Sequence, residues 1–529
     1  MGLRIRGNIP DMTELVVERL RERATTFSER TAVVDVDATF SYRDLFARVN
    51  CAARAFERLG VRKGDAILAF LPNVHEAIEC ELAALSSGNA WITLTSRLTW
   101  AEVRGVVASC RPKIVITNVD GLSRIEAGLA ELPLPSLPLF VVTRNPARSS
   151  SVPGVSYEKL LAESTSGLPD TSVDLEDVAR LRYTSGTTGS AKAAVLPQRV
   201  YRASLAALLH ELGPFTESDR ALHVAPLTHG SGALLYPVLY SGGTNVLMQH
   251  FDVDAVLATI ERERITTLFT VPTMLSRLVT AEAFDRYDLS SLRALVYGGA
   301  PMPIAQLEVA IRRIGRALFQ IYGMTEAPWP IAVLKPDDHV IGSPRLGSVG
   351  RPAQGVEVTI AAPDPAAAPR GDRIGEIRVR GDNVMTGYLR DEAATRAVLQ
   401  DGVLSTGDVG RFDEDGYLYI VGRQKDVIIS GGFNVYAAEV EAVLSSSDLV
   451  LEAAVVGLPH DDWGELVAAF VVPKPGATLR AADVDALARS RLSGYKCPRR
   501  IEIVSDLPKN ASGKIQKSEI VLRARGDIR

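Results

Sequence analysis

The feature that most constrains this chain is an alternation of short strand-like runs with segments of helical period. Runs rich in apolar residues occur at 66–71, 113–117 and 268–271. Between them, the segment 42–59 places its apolar residues three or four positions apart, which is the spacing of one helix face. A parallel or mixed sheet with helices packed on its faces produces such an alternation. The sequence therefore predicts an α/β class.

Size and charge exclude several classes of protein. The chain has 529 residues, of which 46% are hydrophobic, and this is enough material for several compact units. Its 59 basic and 63 acidic side chains give a net charge of −4, whereas a nucleic-acid-binding protein needs a clustered basic face. We therefore expect no nucleic-acid partner. No apolar run approaches the roughly 18 residues that a membrane span requires, so we expect no membrane span.

The cysteines bear on the redox environment. Cys51, Cys80, Cys110 and Cys497 are too few and too widely spaced for a disulfide framework or a CxxC metal site. The first twenty residues show no signal-peptide pattern. These two observations predict a reducing, cytoplasmic location.

The C-terminal third divides into two further units. The segment 361–372 contains three prolines and predicts a long exposed turn. Strand-like runs and a turn at 413–416 then predict a small β-rich unit over 340–422. After it, alternating strands and helices predict a separate domain of about 100 residues. Its predicted strands are 427–429, 453–456, 467–472 and 501–504, and its predicted helices are 438–444 and 481–492.

The most informative segment is the loop from Tyr183 to Lys192, Tyr-Thr-Ser-Gly-Thr-Thr-Gly-Ser-Ala-Lys, which follows a strand-like run at 178–182. Its glycines let consecutive backbone N–H groups approach one oxyanion, its hydroxyls add neutral donors, and Lys192 adds a positive charge. These features are typical of a polyphosphate-binding loop, although most loops of this composition are flexible surface loops. The spacing does not fit the GxxxxGK[ST] pattern, and no GxGxxG motif supports a dinucleotide fold.

The residue order of this loop resembles the signature of the adenylate-forming superfamily, which includes acyl-CoA synthetases, the adenylation domains of peptide synthetases and beetle luciferases. Five further elements of that family follow in the expected order: Tyr322–Glu326 (YGMTE), Ser405–Asp408 (STGD), Gly422–Asp426 (GRQKD), Ser430–Asn434 (SGGFN) and Pro508–Ile515 (PKNASGKI). The chain departs from the family pattern at Ala191–Ala193, where Pro-Lys-Gly is usual, and at Ala437, which replaces a proline. These departures concern substrate detail rather than the class.

The resemblance implies a multidomain fold and a two-step reaction. A large N-terminal AMP-binding domain over 1–424 is expected to contain two αβ-layered subdomains and a small β-barrel-like subdomain. A mobile C-terminal α+β domain over 425–529 is expected to carry the catalytic lysine. The implied reaction joins a carboxylic acid to ATP, with Mg²⁺, to give an acyl-adenylate and pyrophosphate, and coenzyme A then accepts the acyl group. The work left to the protein is charge neutralisation and alignment.

The resemblance also implies roles for individual residues in the first step. Lys514 would bridge the substrate carboxylate and the α-phosphate, Glu326 would bind Mg²⁺, and Asp408 would accept hydrogen bonds from the ribose. Taken alone, Lys514 is better explained as an exposed lysine in a basic tail, and Asp408 is alternatively an ordinary turn residue. The other expected nucleotide-binding residues are Thr184, Ser185, Gly186, Thr187, Thr188, Gly189, Lys192, Gly299, Ala300, Pro301, Gln320, Ile321, Tyr322, Gly323, Met324, Thr325 and Arg423.

A second set of residues is expected around the acid and coenzyme A. The resemblance places His229 at the carboxylate end of the acyl pocket, although a lone histidine is more often structural. The small residues beside His229 favour an aromatic, alicyclic or otherwise bulky acid. Lys425 is the expected hinge between the domains. The other acyl-pocket residues implied are Gly230, Ser231, Gly298, Gly299, Met324 and Trp329, and the coenzyme A-binding residues are Ser430, Gly431, Gly432 and Phe433.

Several functions stay open beside the acid–CoA ligase. The acceptor of the acyl group is alternatively a separate carrier protein, and the acid alternatively a medium- or long-chain fatty acid. A luciferase-like oxygenase shares the same motifs. A serine hydrolase is disfavoured because no GxSxG motif accompanies the sequence His-Gly-Ser-Gly at 229–232. The sequence does not fix the oligomeric state, and a homodimer is left open.

Overall fold

The computed structural model describes residues 14–95, 98–126, 138–144, 154–165, 167, 169–183, 192–361, 374–509 and 515–526. Within these ranges the α-helices are α1 (Val16–Thr26), α2 (Tyr42–Arg58), α3 (His75–Ser86), α4 (Trp100–Cys110), α5 (Val119–Glu126), α6 (Tyr157–Ala162), α7 (Gln198–Leu212), α8 (Leu235–Ser241), α9 (Val253–Glu263), α10 (Pro272–Val279), α11 (Ile304–Ile314), α12 (Glu392–Val398), α13 (Ala437–Leu444), α14 (Ala481–Arg491) and α15 (Lys517–Arg525).

The strands run through the same ranges in chain order. They are β1 (Thr31–Val34), β2 (Thr39–Ser41), β3 (Ala66–Phe70), β4 (Ala90–Leu94), β5 (Ile114–Asn118), β6 (Leu139–Thr143), β7 (Gly154–Ser156), β8 (Val178–Tyr183), β9 (Ala193–Pro197), β10 (Arg220–His223), β11 (Thr244–Leu247), β12 (Thr267–Thr270), β13 (Ala294–Gly298), β14 (Leu318–Tyr322), β15 (Ala332–Leu334), β16 (Arg351–Pro352), β17 (Val356–Ile360), β18 (Gly375–Gly381), β19 (Gly387–Tyr388), β20 (Leu399–Gln400), β21 (Val403–Phe412), β22 (Leu418–Arg423), β23 (Val427–Ser430), β24 (Phe433–Tyr436), β25 (Val450–His460), β26 (Gly464–Pro473) and β27 (Arg500–Ile503).

Two large sheets dominate the N-terminal part. The nine-stranded sheet has the order β16-β15-β14-β13-β12-β10-β11-β1-β2, and its strands from β14 to β1 are parallel neighbours. The eight-stranded sheet has the order β19-β9-β8-β4-β3-β5-β6-β7, and its strands from β8 to β7 are parallel. One apolar core joins a face of the eight-stranded sheet to α1, α2 and α3. The predicted α/β class is confirmed.

Helix α2 shows how the local sequence specifies these elements. Ser41 and Asp44 form a reciprocal capping box at its N-terminus, which satisfies backbone N–H groups that have no partner inside the helix. Its apolar residues share one face, and Leu45, Val49 and Phe56 are almost fully buried. Burying one such side chain contributes about 1.5–3 kcal/mol to stability. The helix predicted over 42–59 is confirmed with its end at Arg58.

Two smaller sheets follow the large ones. The first contains β17, β18, β20, β21 and β22, all antiparallel, and confirms the β-rich unit predicted before residue 422. The second contains β23 to β27 and has its own core with α13 and α14. A short 3-10 helix, Gln424–Asp426, connects them. The molecule therefore has a large N-terminal and a small C-terminal domain, as expected.

Other sequence predictions have clear outcomes. The hairpin turn at 413–416 is confirmed, because Gly416 N donates to the Asp413 carbonyl at 3.1 Å. Most of the predicted proline turn, 362–372, lies outside the described residues. Within the described ranges, no helix combines the length and the apolar character needed to cross a membrane.

Candidate active site

Three predicted nucleotide-binding segments begin where a parallel strand ends. β8 ends at Tyr183, immediately before the predicted phosphate loop, while β13 ends at Gly298 and β14 at Tyr322. Gly298 and Ile321 are register partners in β13 and β14, so the segments 299–301 and 323–326 leave the sheet side by side. Ligands of open α/β sheets bind at the carboxyl ends of the strands. The segments 299–301 and 323–326 therefore lie together at the carboxyl end of the nine-stranded sheet, whereas the phosphate loop follows a strand of the eight-stranded sheet.

Two predicted parts of the site lie outside the described residues. They are the loop residues Thr184, Ser185, Gly186, Thr187, Thr188 and Gly189, and the catalytic candidate Lys514. The chain on either side of Lys514 is fixed: Gln516 N donates to the Pro508 carbonyl at 2.8 Å, and Lys509 pairs with Glu452 at 2.8 Å. The segment that carries Lys514 is thus anchored at both ends to the C-terminal domain.

Glu326, the predicted Mg²⁺ ligand, is buried, with 8% of its surface exposed. The Tyr388 hydroxyl donates to Glu326 Oε1 at 2.7 Å, and Lys192 Nζ lies 5.3 Å from the centroid of the Tyr388 ring. Burial, with a further contribution from the charge of Glu326, raises the pKa of Tyr388, so its hydroxyl remains a donor. Tyr388 thus links the predicted metal ligand to the predicted phosphate-binding lysine.

Asp408, the predicted ribose ligand, is buried and held by two donors. The Tyr322 hydroxyl donates to Oδ2 at 2.7 Å, and Arg423 Nε lies 2.9 Å from Oδ1. Asp408 and Arg423 are register partners in β21 and β22, which explains the pairing. Burial, followed by the charge of Asp408, raises the pKa of Tyr322. Each carboxylate oxygen has a second lone pair, so Asp408 can still accept hydrogen bonds from a ribose.

The wall predicted to hold adenine is built by the ends of β13 and β14. Gly299 and Ala300 are exposed, and a Cβ on Gly298 would lie 2.4 Å from the Ile321 carbonyl oxygen. Gln320 Oε1 accepts a hydrogen bond from the Tyr297 hydroxyl at 3.2 Å. The strand ends therefore present bare backbone beside a fixed amide, an arrangement that suits a flat heterocycle. Pro301 is exposed, and Met324 and Thr325 are partly buried.

Trp329, which is predicted to line the acyl pocket, would form its apolar wall. A Cβ on Gly230 would lie 1.8 Å from its Cη2 atom, and a Cβ on Gly323 would lie 2.0 Å from its Cδ1 atom. The ring of Phe269 lies 4.6 Å from the indole, centroid to centroid. The indole is therefore enclosed by two glycines and an aromatic ring, which explains why glycine occupies both positions.

His229 stands beside this wall and is exposed to the cleft. Its Nδ1 atom lies 2.6 Å from the Thr228 hydroxyl oxygen, which leaves Nε2 facing away from that bond. Desolvation of the ring by the surrounding protein lowers the pKa of His229, and the charges of Arg182 and then Arg180 add to the effect. His229 is thus a neutral imidazole at neutral pH, placed next to the apolar wall.

Ser231, also predicted in the acyl pocket, is placed differently from His229. It is fully buried, and its Oγ lies 2.9 Å from Nδ1 of His223, whose Nε2 lies 2.9 Å from Asn245 Oδ1. Burial lowers the pKa of His223 to about 4. The Ser231 hydroxyl is therefore directed at His223 and away from the cleft. Because this Ser-His-Asn array is enclosed, it offers no accessible nucleophile.

The predicted hinge and the predicted coenzyme A segment adjoin each other. Lys425 lies in the 3-10 helix between β22 and β23, and burial lowers its pKa. The β23–β24 hairpin turns at Gly431 and Gly432, which have φ values of +57° and +82°. Ser430 is buried, whereas Phe433 is 58% exposed. The predicted hinge and the accessible hairpin are thus only a few residues apart along the chain.

Sequence reasoning missed the residues that orient the site. Tyr388 and Tyr297 were not predicted; Tyr388 belongs to no motif that was singled out, whereas Tyr297 directly precedes the predicted residues Gly298 and Gly299. The only signal for Tyr388 is its strand, β19, which pairs with β9 directly after the phosphate loop. Arg182 was also missed, although it immediately precedes that loop.

The same architecture and motifs are found in known proteins. A family model described as "AMP-binding enzyme" matches residues 20–389, and one described as "AMP-binding enzyme C-terminal domain" matches residues 439–514. The chain belongs to the AMP-binding enzyme family. This membership confirms the resemblance to adenylate-forming enzymes.

Two curated relatives and one solved structure illustrate the likeness. A feruloyl-CoA synthase from Amycolatopsis sp is 36% identical over 500 residues, which cover 94% of this chain and 96% of that protein. A 2-succinylbenzoate–CoA ligase from Bacillus pumilus is 36% identical over 503 residues, covering 95% and 96%. The structure of amide bond synthetase McbA from Marinactinospora thermotolerans has a TM-score of 0.86 and 33% identity, covering 96% of this chain and 100% of that one. AMP-binding enzymes of this kind are AMP-forming acid–thiol ligases, for which ATP and coenzyme A are fitting substrates.

Proposed function

We propose that this AMP-binding enzyme is an ATP-dependent acyl-CoA synthetase for an aromatic, alicyclic or otherwise bulky carboxylic acid. It forms the acyl-adenylate with release of pyrophosphate and then transfers the acyl group to coenzyme A. The observation that carries the proposal is the position of His229 and Trp329 beside the end of β14, where Glu326 follows the strand and Tyr322 contacts Asp408. An acid and a nucleotide bound there would meet at one cleft.

In the first step, the protein supplies charge and alignment. Asp408 would hold the ribose, and Lys192 and the residues 184–189 would bind the phosphates. Glu326 fits a Mg²⁺ site, because it is a buried carboxylate held through one oxygen and Mg²⁺ prefers oxygen ligands. When bound, Mg²⁺ neutralises phosphate charge. Lys514 would then stabilise the negative charge that develops between the carboxylate oxygen and the α-phosphorus.

In the second step, the thiol must reach the same carbonyl carbon. The C-terminal domain, from about residue 425, would rotate at Lys425, withdraw Lys514 and bring the hairpin 430–433 to the cleft. A few dihedral angles at a hinge can absorb such a rotation. The 3-10 helix Gln424–Asp426 is short and lies between two separate sheets, which supports this position for the hinge and for the domain boundary.

The acceptor and the cellular location are part of the proposal. Coenzyme A is the proposed acceptor, and a thiol on a separate carrier protein is the alternative. All four cysteines are free thiols, which supports the cytoplasm, where thiols stay reduced.

The test is a pyrophosphate-release screen over benzoate, cinnamate, ferulate, an alicyclic acid and decanoate, each with and without coenzyme A. We expect release with at least one cyclic acid and formation of its CoA thioester. Lys514→Ala should abolish release, whereas Lys517→Ala, which removes a lysine paired with Glu441 at 2.7 Å, should retain it. Release with decanoate alone would refute the acid class, and full turnover by Lys514→Ala would refute the mechanism.

A further inference from the structure

Strand β8 carries two arginines, Arg180 and Arg182, immediately before the phosphate loop. Because they are two positions apart in a strand, both side chains leave the same face of the eight-stranded sheet. Trp91 of β4 is the register partner of Arg180, so the same face of β4 presents Thr93 beside Arg182. Both arginines therefore enter the layer between this sheet and the helices packed on it.

Arg180 is paired through both of its terminal nitrogens, although its Nε is also buried without an acceptor. Its Nη1 atom lies 3.3 Å from Glu81 Oε1 and 3.2 Å from the Tyr201 hydroxyl, and its Nη2 donates to the Thr93 hydroxyl at 2.6 Å. The Tyr236 hydroxyl also donates to Glu81 Oε1. Glu81 is thus already engaged, and its single negative charge is matched by Arg180.

Arg182 differs from Arg180 in having no such partner. Across the described part of the chain, it makes no hydrogen bond or ion pair, and its Nε is buried without an acceptor. Burial, and then the neighbouring charge of Arg180, lowers the pKa of Arg182 to about 10. Leaving a guanidinium partly desolvated and unpaired is costly, since both its charge and its donors lose water. The cluster of Arg180, Arg182 and Glu81 carries one uncompensated positive charge.

The position of Arg182 connects this charge to the cleft. Arg182 lies one residue from the end of β8, and it is partly exposed, unlike Arg180. Glu81 and Thr93, which lie on the same face as Arg182, line one pocket together with Thr228, the residue before His229. His229 is the residue proposed at the carboxylate end of the acyl pocket. The unpaired cation is therefore next to the place where the acid's negative charge would lie.

We propose that Arg182 is a substrate-binding residue whose guanidinium pairs with a carboxylate of the acid. The inference rests on the proposed function, because it assigns a partner within the same cleft. Guanidinium matches a carboxylate with two parallel hydrogen bonds and stays charged throughout the working pH range. The carboxylate has two sources: the group that is activated, or a second carboxylate on a diacid. Adenylation removes the charge of the first source and leaves that of the second.

The experiment compares cinnamate with 4-carboxycinnamate on wild type, Arg182→Met and Arg182→Lys. Binding of each acid is measured by calorimetry without ATP, and KM for the acid and for ATP by pyrophosphate release. Arg316→Met is the control, because Arg316 pairs with Asp337 on the surface and its side chain is 89% exposed. We expect Arg182→Met to weaken acid binding at least tenfold, Arg182→Lys to recover part of it, and Arg316→Met to match wild type.

Each outcome has a defined meaning. Equal loss for both acids assigns Arg182 to the activated carboxylate, whereas loss for 4-carboxycinnamate alone assigns it to a second carboxylate. Acid binding within twofold of wild type in Arg182→Met overturns the proposal, and a rise in KM for ATP alone would assign Arg182 to the nucleotide instead. If Arg182→Met loses acid binding and wild type releases no pyrophosphate, the proposed function is refuted but this inference stands.

Discussion

Adding one methyl group at Gly230 tests whether Trp329 forms the wall of the acid pocket. In Gly230→Ala, the new Cβ would lie 1.8 Å from Cη2 and 2.4 Å from Cζ3 of Trp329. Carbon atoms in contact are normally about 3.5–4.0 Å apart, so the indole would have to move by roughly 2 Å. The other side of the ring is blocked, because Gly323 already approaches it and Phe269 packs on it. The indole is therefore expected to swing into the cleft.

Two effects of different size should follow from this displacement. Overpacking of this kind costs about 1–3 kcal/mol of stability. An indole in the cleft narrows the pocket, so KM for a cyclic acid should rise about tenfold or more, which corresponds to about 1.4 kcal/mol. KM for ATP should change less than about twofold, because the nucleotide contacts proposed for Asp408 and Glu326 do not involve the indole.

The assay is pyrophosphate release with varied acid and varied ATP, together with urea unfolding of each variant. Gly347→Ala is the matched control, since Gly347 is exposed and a Cβ there would meet nothing within 4 Å. Trp329→Phe in the Gly230→Ala background should relieve the clash, and the double-mutant cycle isolates that interaction. If Gly230→Ala matches Gly347→Ala in both stability and KM for the acid, Trp329 does not form the wall.

Three further predictions concern pH, metal and hinge. Burial lowers the pKa of His223 to about 4, so the unfolded chain binds a proton first as pH falls from about 6.5 to 4, and roughly 3 kcal/mol of stability is lost across that window. Urea unfolding at pH 5 and 7 should show a smaller difference in the free energy of unfolding between the two pH values for His223→Gln than for wild type. An equal difference in the two proteins contradicts this. Tyr388→Phe removes a hydrogen bond to the Glu326 charge, worth about 1.5–3 kcal/mol, and should raise the Mg²⁺ concentration for half-maximal pyrophosphate release; an unaltered Mg²⁺ titration would falsify it. Lys425→Pro should spare adenylate formation and slow thioester formation in single-turnover assays, whereas equal slowing of both steps would argue against the hinge.

The fold could be predicted because its signals are local. The spacing of apolar residues in the segment 42–59 and the capping pair Ser41 and Asp44 define α2 without reference to the rest of the chain. The order of the strands in a sheet has no such local signal, because β1 pairs with β11 across more than two hundred residues of sequence. No single-sequence pattern records such a pairing. The two-sheet architecture therefore came from the family resemblance rather than from the residues alone.

In the candidate site, too, local features could be predicted from the sequence and long-range contacts could not. Its motif residues could be predicted, since Glu326 and Asp408 occur in short, ordered segments with a fixed chemistry. Their partners could not, because Tyr388 is 62 residues from Glu326 along the chain and the two are joined by long-range contacts such as the hydrogen bond from Met385 N to the Glu326 carbonyl at 2.8 Å. For Ser231, the position in the sequence was misleading. It lies two residues after His229, which suggested a place in the acyl pocket, but its side chain points into the core.

The choice of tyrosine as the partner of the buried acids has a chemical consequence. A lysine or arginine beside Glu326 would fix its position but would also cancel its charge, and a neutralised carboxylate is a poor cation ligand. The Tyr388 hydroxyl fixes Glu326 Oε1 with a neutral donor, so the full negative charge remains for a cation. Asp408 shares its charge with Arg423, which is acceptable for a residue proposed to bind neutral ribose hydroxyls. The two acids thus differ in their partners, since Asp408 is paired with a cation and Glu326 with a neutral hydroxyl, as their proposed roles require.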